Sequence, residues 1–291
     1  MEKQKVDGFL IITTTRGFSM PTFDDIGYWS EIKLDIIRDY AQTYSTILSA
    51  QEGLRHVYID AFAGAGYHIS RTTGEMVAGS PVNALQVSPP FKEYYFIDLD
   101  KSKVAELQKI ASEYDNVFVR EGDCNDVLLN EVFPKVRYTD YRRGLCLLDP
   151  YGLQLDWRVI QTAGQMKSIE IFLNFPVADI NRNALWRNPD KVSPDQLKRW
   201  NRFWGDETWR PVAYDPQCNL FGLDLKTDTK SVVDAFRRRL KDVAGFGYVP
   251  EPIPMRNKNG AIVYYLFFAS PKPVAARIVT HIFNKYRNKM A

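Results

Sequence analysis

The sequence contains few cysteines, and this scarcity excludes two classes of protein. Three occur among its 291 residues, at Cys124, Cys146 and Cys218. They are too few and too scattered for a domain held together by disulfides, and their spacing does not match a zinc site. Cys146 lies within an apolar run, so we expect it to be a core residue.

Long apolar runs and a strong net charge are also missing. No apolar run reaches the roughly 18 residues of a membrane span, and the N-terminus lacks the basic-then-apolar order of a signal peptide. We therefore expect a cytoplasmic protein without a membrane partner. The net charge of +3 excludes a generic polyanion binder, although residues 231–291 hold 11 lysines and arginines against 3 acids. That basic end suits an anionic partner such as RNA or DNA, and a solvated helix face is the alternative.

What the sequence does contain is an apolar run that ends in an acid and is followed by glycines. Residues 54–60 are rich in β-branched and aromatic side chains, which favours a buried parallel strand ending at Asp60. Gly64 and Gly66 follow, and glycine lets the backbone turn sharply and approach a ligand. Ligands of open α/β sheets bind at the carboxyl ends of the strands. We expect a nucleotide-like cofactor over these glycines, with a simple tight connection as the alternative.

The remaining periodicity predicts alternating strands and helices, and hence a mainly parallel sheet with right-handed crossovers. Further strands are predicted at 93–97, 116–119, 144–148 and 169–173, with a closing hairpin at 248–255 and 261–269. Helices are predicted at 28–48, from 80 onward, and at 101–114, 126–132, 156–166, 231–243 and 274–286. The residues at or just after the five strand ends are Asp60, Asp98, Asp123, Asp149 and Asn174. Each alone is explained by a turn or a helix cap, but together, at one edge of a sheet, they predict a site.

Two segments depart from the alternation. Residues 1–26 have no clear period, and we interpret them as a leader or edge segment before a domain at 27–291. Residues 177–230 interrupt this domain as a helical insertion that holds four of the six tryptophans, interleaved with arginines. Arginine and aromatic side chains together bind unpaired bases, so Arg199 and Arg202, with Asn174, are candidate substrate-binding residues. The alternative is that the tryptophans form the core of a cap.

Local signals also predict where two helices begin. Asp24 or Asp25 is the predicted N-cap of the helix at 28–48. The glycine turn is followed by an unusually long connection, at about 68–79. After it, Ser80 is predicted to cap the next helix, with a proline at its first position.

Two classes of cofactor-binding protein use this kind of sheet edge, and the sequence separates them. Dinucleotide dehydrogenases need Gly-x-Gly-x-x-Gly with an acid about 20 residues further on. Here the third glycine is absent, Asp98 lies 38 residues after Asp60, and a hairpin closes the chain. The chain instead resembles the class I S-adenosylmethionine methyltransferases. The resemblance implies an α/β, Rossmann-like sheet that is mainly parallel, a C-terminal antiparallel hairpin, and S-adenosylmethionine as the cofactor.

The same resemblance implies which residues bind the cofactor. In chain order they are Asp60, Phe62, Gly64, Gly66, Asp98 and Asp123. The glycine loop is implied to hold the methionine part, although Phe62 stands where the family more often has a first glycine. Asp98 is implied to hold the ribose hydroxyls, with Asp100 as a rival, and Asp123 to meet the adenine amino group.

The loop after the fourth strand resembles that of enzymes that methylate exocyclic amines of bases. Asp149, Pro150, Tyr151 and Gly152 are similar to their Asp/Asn-Pro-Pro-Tyr signature, and to the Asp-Pro-Phe-Gly loop of certain tRNA guanosine dimethyltransferases. The Asp149 carboxylate and the Pro150 carbonyl can accept hydrogen bonds from an amine and align it with the methyl group. Tyr151 can stack on the base. These three residues are the candidate catalytic residues, and a plain turn is the alternative.

A narrower resemblance covers nearly the whole chain. Its motifs are Trp29-Ser30-Glu31-Ile32-Lys33-Leu34, the segment at 58–66, Gly79-Ser80-Pro81, the loop at 149–152 and the segment at 265–270. They look like those of the three-Cys-motif partner (TcmP) proteins, which implies a protein partner bearing three cysteines. Two hypotheses follow. One is an S-adenosylmethionine-dependent methyltransferase of an amine in a nucleobase or nucleic acid. The other is a partner or scaffold protein of the same fold with weak or no catalysis.

Overall fold

The computed structural model describes residues 23–215 and 225–290. Cys218 and the predicted leader up to residue 22 lie outside these ranges. The strands are β1 Asp24–Ile26, β2 Arg55–Asp60, β3 Tyr67–Ser70, β4 Met76–Ala78, β5 Glu93–Asp98, β6 Val117–Glu121, β7 Arg142–Leu148, β8 Ile169–Phe175, β9 Tyr214–Asp215, β10 Leu225–Lys226, β11 Ile253–Arg256 and β12 Ile262–Ala269.

The α-helices alternate with the strands of the main sheet up to β8. They are α1 Tyr28–Ser49, α2 Ser80–Leu85, α3 Lys101–Ala111, α4 Cys124–Val127, α5 Trp157–Met166, α6 Val177–Asn183, α7 Pro194–Trp204, α8 Arg210–Ala213, α9 Thr229–Asp242 and α10 Pro273–Met290. A π-helical turn at Leu128–Val132 extends α4. Among the described residues, no helix is both long and apolar enough to cross a bilayer.

The main sheet has the order β11-β12-β8-β7-β2-β5-β6. Its five strands from β8 to β6 are parallel, and β12 and β11 join antiparallel at one end. The chain order reverses between β2 and β7, which opens a crevice at the carboxyl ends of these two strands. The predicted fold class, a mainly parallel sheet with a C-terminal antiparallel hairpin, is confirmed.

Apolar layers cover both faces of the sheet because neighbouring residues of a strand point to opposite sides. Val57 and Ile59 of β2 belong to the layer shared with α5, α7 and α9, whereas Tyr58 belongs to the layer shared with α1 and α10. Cys146 is fully buried in the first layer, as predicted. Each fully buried large apolar side chain contributes roughly 1.5–3 kcal/mol, so these layers fix where the strand ends lie.

Three of the four tryptophans in residues 177–230 are part of this core. Trp200, Trp204 and Trp209 are at most 2% exposed and contact the same apolar layer as Phe175 and Phe236. Trp186 is 41% exposed. Packing therefore explains the three buried rings, which are not available to stack on a base.

The structure corrects four local expectations. Asp24 and Asp25 lie in β1 and do not cap α1, whose N-cap is Gly27. Gly79 precedes α2, so Ser80 is its first residue and not its cap. The long connection at 68–79 contains the hairpin of β3 and β4, and β3 also pairs in parallel with β1. The strand predicted at 248–255 is shorter, because Tyr248 makes only an isolated bridge to Ser270.

Candidate cofactor and acceptor cleft

The glycine turn after β2 is tight and its glycines are required. Gly64 and Gly66 have φ angles of +66° and +87°, which side chains with a Cβ rarely adopt. A Cβ at Gly66 would also lie 2.5 Å from Cδ1 of Ile110. The turn is held by a hydrogen bond from the Gly79 amide to the Gly66 carbonyl, at 2.8 Å.

Asp60 lies beneath this turn. It is fully buried, and its Oδ1 accepts a hydrogen bond from the Phe62 amide at 3.3 Å. Burial raises the pKa of Asp60 to about 7, although hydrogen bonds from the Ser80 hydroxyl and the Phe62 amide act to lower it. Asp60 and Gly66 line neither of the two cavities described below, so the structure places them in support of the turn and not on the surface of the site.

Asp98, at the end of β5, fixes the opposite side of the turn. Its Oδ2 accepts from the Gly64 amide at 2.8 Å and its Oδ1 from the Asp100 amide at 2.9 Å. Asp100 is the N-cap of α3 and accepts from the amides of Ser102 and Lys103. Asp100 is therefore occupied by the N-terminus of its own helix.

The ends of β2, β5 and β6 surround a cavity of about 310 Å³, here called the Asp98 cavity. Its lining includes Phe62, Asp98, Leu99, Asp123, Tyr151, Leu153, Arg199 and Arg202. Asp123 is the N-cap of α4 and accepts from the backbone and side-chain nitrogens of Asn125 at 2.8 and 2.7 Å. Arg199 and Arg202 reach this cavity from α7, and Arg202 also pairs with Asp156 at 3.3 Å.

A second cavity of about 430 Å³, the Asp149 cavity, lies beside the first. Its lining includes Lys33, Phe62, Gly64, His68, Ser80, Asp149, Pro150, Tyr151, Asn174 and Tyr264. Phe62 and Tyr151 line both cavities, so the two are adjoining parts of one cleft at the carboxyl edge of the sheet. Of the candidate residues, the cleft brings together Phe62, Gly64, Asp98, Asp123, Asp149, Pro150, Tyr151, Asn174, Arg199 and Arg202.

Asp149 has two side-chain partners in the Asp149 cavity. The Lys33 ammonium, 7% exposed as a residue, forms an ion pair with its Oδ2. The Asn174 amide nitrogen donates to its Oδ1 at 2.8 Å. This bond fixes the orientation of the Asn174 side chain, and its buried Oδ1 has no hydrogen-bond partner among the described residues. A buried acceptor without a donor costs roughly 1–3 kcal/mol, so the site favours a ligand that carries N–H or O–H groups.

The Tyr151 side chain is held by a hydrogen bond to β1. Its hydroxyl donates to Asp24 at 3.0 Å, and Lys103 pairs with the same Asp24 carboxylate at 2.5 Å. The Lys103 ammonium also lies 5.3 Å from the centre of the Tyr151 ring. Burial of the hydroxyl and the Asp24 carboxylate raise the pKa of Tyr151 to about 12, although the Lys103 ammonium lowers it, so the hydroxyl stays protonated at neutral pH. Its residue surface is still 57% exposed, which leaves the ring accessible.

The sequence interpretation missed Lys33, His68 and Asp24 as site residues. Lys33 belongs to the motif at 29–34, which is part of the family resemblance. That motif was the one signal in the sequence that Lys33 belongs to a site. His68 lines the Asp149 cavity, its Nδ1 has no hydrogen-bond partner among the described residues, and burial lowers its pKa. Nothing in the local sequence marks His68 or Asp24, because they reach the cleft through the β1–β3 pairing.

Comparison with known proteins supports the fold. No family model and no curated protein matches the chain. Protein LPL1258 from Legionella pneumophila str. Philadelphia 1 (family-model DUF519) aligns over 87% of this chain and 92% of its own, with 12% identity and a TM-score of 0.51.

Two further solved structures align less closely. A putative methyltransferase from Thermobifida fusca YX has 14% identity over 83% of this chain and 82% of its own, with a TM-score of 0.42. The N-methyltransferase NodS from Bradyrhizobium japonicum WM9, in complex with S-adenosyl-L-homocysteine, has 10% identity over 84% and 89%, with a TM-score of 0.39. At such scores these two carry no argument. The sheet order and the cleft define a class I methyltransferase-like, Rossmann-like fold.

Proposed function

We propose that the chain is an S-adenosylmethionine-dependent methyltransferase whose acceptor is an exocyclic amine of a nucleobase or nucleic acid. The observation that carries this proposal is the Asp149–Asn174 pair. It presents a carboxylate and a buried amide oxygen that has no hydrogen-bond partner among the described residues, in a cavity that the glycine turn also lines. An amine with two N–H groups can donate to both oxygens.

The cleft also fits the cofactor. S-adenosylmethionine supplies a methyl group on a positively charged sulfur. The Asp98 and Asp123 carboxylates line the Asp98 cavity and suit the ribose hydroxyls and the adenine amino group. Gly64 approaches without a Cβ, and Phe62 lies where the two cavities adjoin. The residues of the Asp98 cavity would therefore hold the adenosine part, and the Asp149 cavity beside it would receive the methyl acceptor.

Catalysis in this arrangement depends mainly on alignment. Hydrogen bonds to Asp149, the Pro150 carbonyl and Asn174 orient the amine so that its lone pair faces the methyl group. The amine nitrogen would take the methyl group as the sulfur–methyl bond breaks, which leaves S-adenosylhomocysteine. The Asp149 carboxylate would stabilise the positive charge that develops on the amine until the amine loses a proton to solvent. Lys33 neutralises Asp149 before the acceptor binds, so the amine has to compete with an ammonium for this carboxylate. The exposed Tyr151 ring supports the base by stacking, and Arg199 and Arg202 attract its phosphates.

The test is calorimetry with S-adenosylhomocysteine, followed by methyl-transfer assays on RNA, DNA and free nucleosides. Asp149→Ala should leave the affinity for S-adenosylhomocysteine near wild type and lower turnover by orders of magnitude, because the lost contacts serve the transition state. Tyr151→Ala should weaken acceptor binding by roughly 1–3 kcal/mol, and Tyr151→Phe should have a mild effect. An inactive Tyr151→Phe beside an active Asp149→Ala would refute the amine assignment.

A second candidate function is that of a partner or scaffold protein with weak or no catalysis, working with a three-Cys-motif protein. The observation that favours it is the Lys33–Asp149 ion pair, which occupies the carboxylate that an amine acceptor needs. The two candidates differ in the effect of Lys33→Met. For an enzyme this change alters turnover, whereas a partner or scaffold protein shows little or no methyl transfer with or without Lys33.

A further inference from the structure

A third cavity lies at the opposite edge of the sheet, where β7 and β8 begin. It has a volume of about 330 Å³ and lies between α1 and α10, and it is here called the α1–α10 cavity. Its apolar lining includes Ile47, Leu48, Leu54, Val274, Ala275 and Ile278. None of the residues proposed above for methyl transfer lines it.

The interior of the α1–α10 cavity contains an unsatisfied polar group. Tyr44 is 6% exposed, and its hydroxyl is buried without a hydrogen-bond partner in residues 23–215 and 225–290. Beside it, Glu170 accepts hydrogen bonds from the hydroxyls of Tyr40 and Ser270. Buried hydroxyls in folded proteins nearly always have a partner, so the Tyr44 hydroxyl, which has none among the described residues, is available to a polar group inside the cavity.

The mouth of the α1–α10 cavity is positively charged. Arg143, Lys167 and Lys272 line it, and none of them forms an ion pair with a carboxylate of the described residues. The Arg143 guanidinium lies 3.6 Å and the Lys272 ammonium 5.6 Å from the centre of the same Tyr138 ring. Lys167 donates to the Gly245 carbonyl. Neighbouring cations without a counter-ion repel each other, and an anion at the mouth relieves this repulsion.

We propose that the α1–α10 cavity is a second ligand site, which binds a small organic anion with a flat or extended apolar body. Its anionic group contacts Arg143 and Lys272, its body lies against the apolar lining, and a hydroxyl at its far end contacts Tyr44. The volume is at the lower end of the range of small-molecule pockets, roughly 300–1,000 Å³. Glu170 does not oppose an anion strongly, because burial raises its pKa to about 7 and leaves it partly uncharged at neutral pH.

The test uses two probes that differ by one anionic sulfonate group, 6-hydroxy-2-naphthalenesulfonate and 2-naphthol, with binding measured by calorimetry on the full chain. We expect the sulfonate to bind with a stoichiometry of one. The double variant Arg143→Gln, Lys272→Gln should weaken it at least tenfold and leave 2-naphthol nearly unchanged. Tyr44→Phe should weaken both probes, because both carry the hydroxyl. Ala275→Phe, which fills the cavity, should abolish both.

The matched control is Lys241→Gln, an exposed lysine on α9 outside the cavity, which should change neither affinity. Circular dichroism and thermal unfolding check that each variant is folded. If Ala275→Phe does not fold, the charge variants and the pair of probes still decide. The proposal is overturned if the sulfonate shows no saturable binding at millimolar concentration. It is also overturned if the double variant binds the sulfonate as tightly as the wild type.

Discussion

At the scale of single residues, the candidate site has two layers with different roles. Asp98 and Asp149 line the cleft, whereas Asp60 is fully buried under the glycine turn. The sequence could predict that all three follow strand ends, because that depends only on where each strand stops. It could not predict which carboxylate faces the cleft, since this depends on the direction of each side chain and on long-range partners such as Lys33.

The role of Asp98 gives the first prediction. Asp98→Ala should weaken S-adenosylhomocysteine binding by roughly 1.5–3 kcal/mol, the usual size for a hydrogen bond to a charged group. Asp100→Ala should lower the Tm through the lost cap of α3 and leave the affinity unchanged. Calorimetry measures both affinities. The assignment fails if Asp100→Ala weakens binding and a folded Asp98→Ala does not.

The buried carboxyl of Asp60 gives a prediction about pH. Its folded-state pKa of about 7 lies above the unfolded value of about 4, so the folded protein binds the extra proton between these pH values. The wild type therefore loses stability from this group as pH rises from about 4 to about 7. Asp60→Asn cannot titrate, so its stability relative to wild type should rise over that range, by at most about 1.4 kcal/mol per pH unit.

Urea unfolding at several pH values measures this difference. Glu52→Gln, at an exposed carboxyl, serves as the matched control and should parallel the wild type. If Asp60→Asn also parallels the wild type between pH 4.5 and pH 7, the carboxyl of Asp60 is ionised in the folded protein and its position under the turn has to be reconsidered.

At the scale of elements, the small sheet of β1, β3 and β4 was the main feature that the sequence did not predict. Its strands have only three or four residues, too few for a periodic pattern to emerge. The pairing of β1 with β3, which places Asp24 opposite His68, joins segments that are far apart in the sequence. The sheet places Asp24 against Tyr151 and Lys103, so its strand β1 covers the cleft.

The position of β1 predicts that it slows ligand release. Asp24→Ala removes the acceptor shared by Tyr151 and Lys103, so we expect S-adenosylhomocysteine to dissociate several-fold faster with a smaller change in association. Asp25→Ala is the matched control. Asp25 is exposed and its only ion pair among the described residues, with Arg71, is 4.0 Å long. Stopped-flow fluorescence measures both rates, and equal dissociation from the two variants would show that β1 does not act as a cover.

At the scale of the whole molecule, the sequence predicted the main sheet well because its strands are buried and its helices are amphipathic. Three strands lie within two residues of their expected bounds, namely Arg55–Asp60, Arg142–Leu148 and Ile169–Phe175. They were predictable because continuous apolar runs mark strands covered on both faces. The sequence did not decide whether the tryptophans of residues 177–230 pack in the core or bind a ligand. Whether Trp200 packs or binds depends on the layer formed by β8 and α9, which no local pattern specifies.

Charge across the molecule leads to the last prediction, which concerns nucleic-acid binding. If an RNA docks on the cleft, its affinity should fall steeply with salt because each neutralised phosphate releases counterions. Arg199 and Arg202 lie on the exposed face of α7 at the Asp98 cavity. Replacing both with alanine should reduce the slope of log K against log salt by at most about 1.4, at roughly 0.7 per phosphate on a single strand.

The pair Arg238→Ala, Lys241→Ala on α9 tests the basic C-terminal end in the same titration. A reduced slope in the α9 variant alone would place the RNA there, away from the cleft. No binding to RNA or DNA at low salt would mean that the methyl acceptor is a protein or a small molecule.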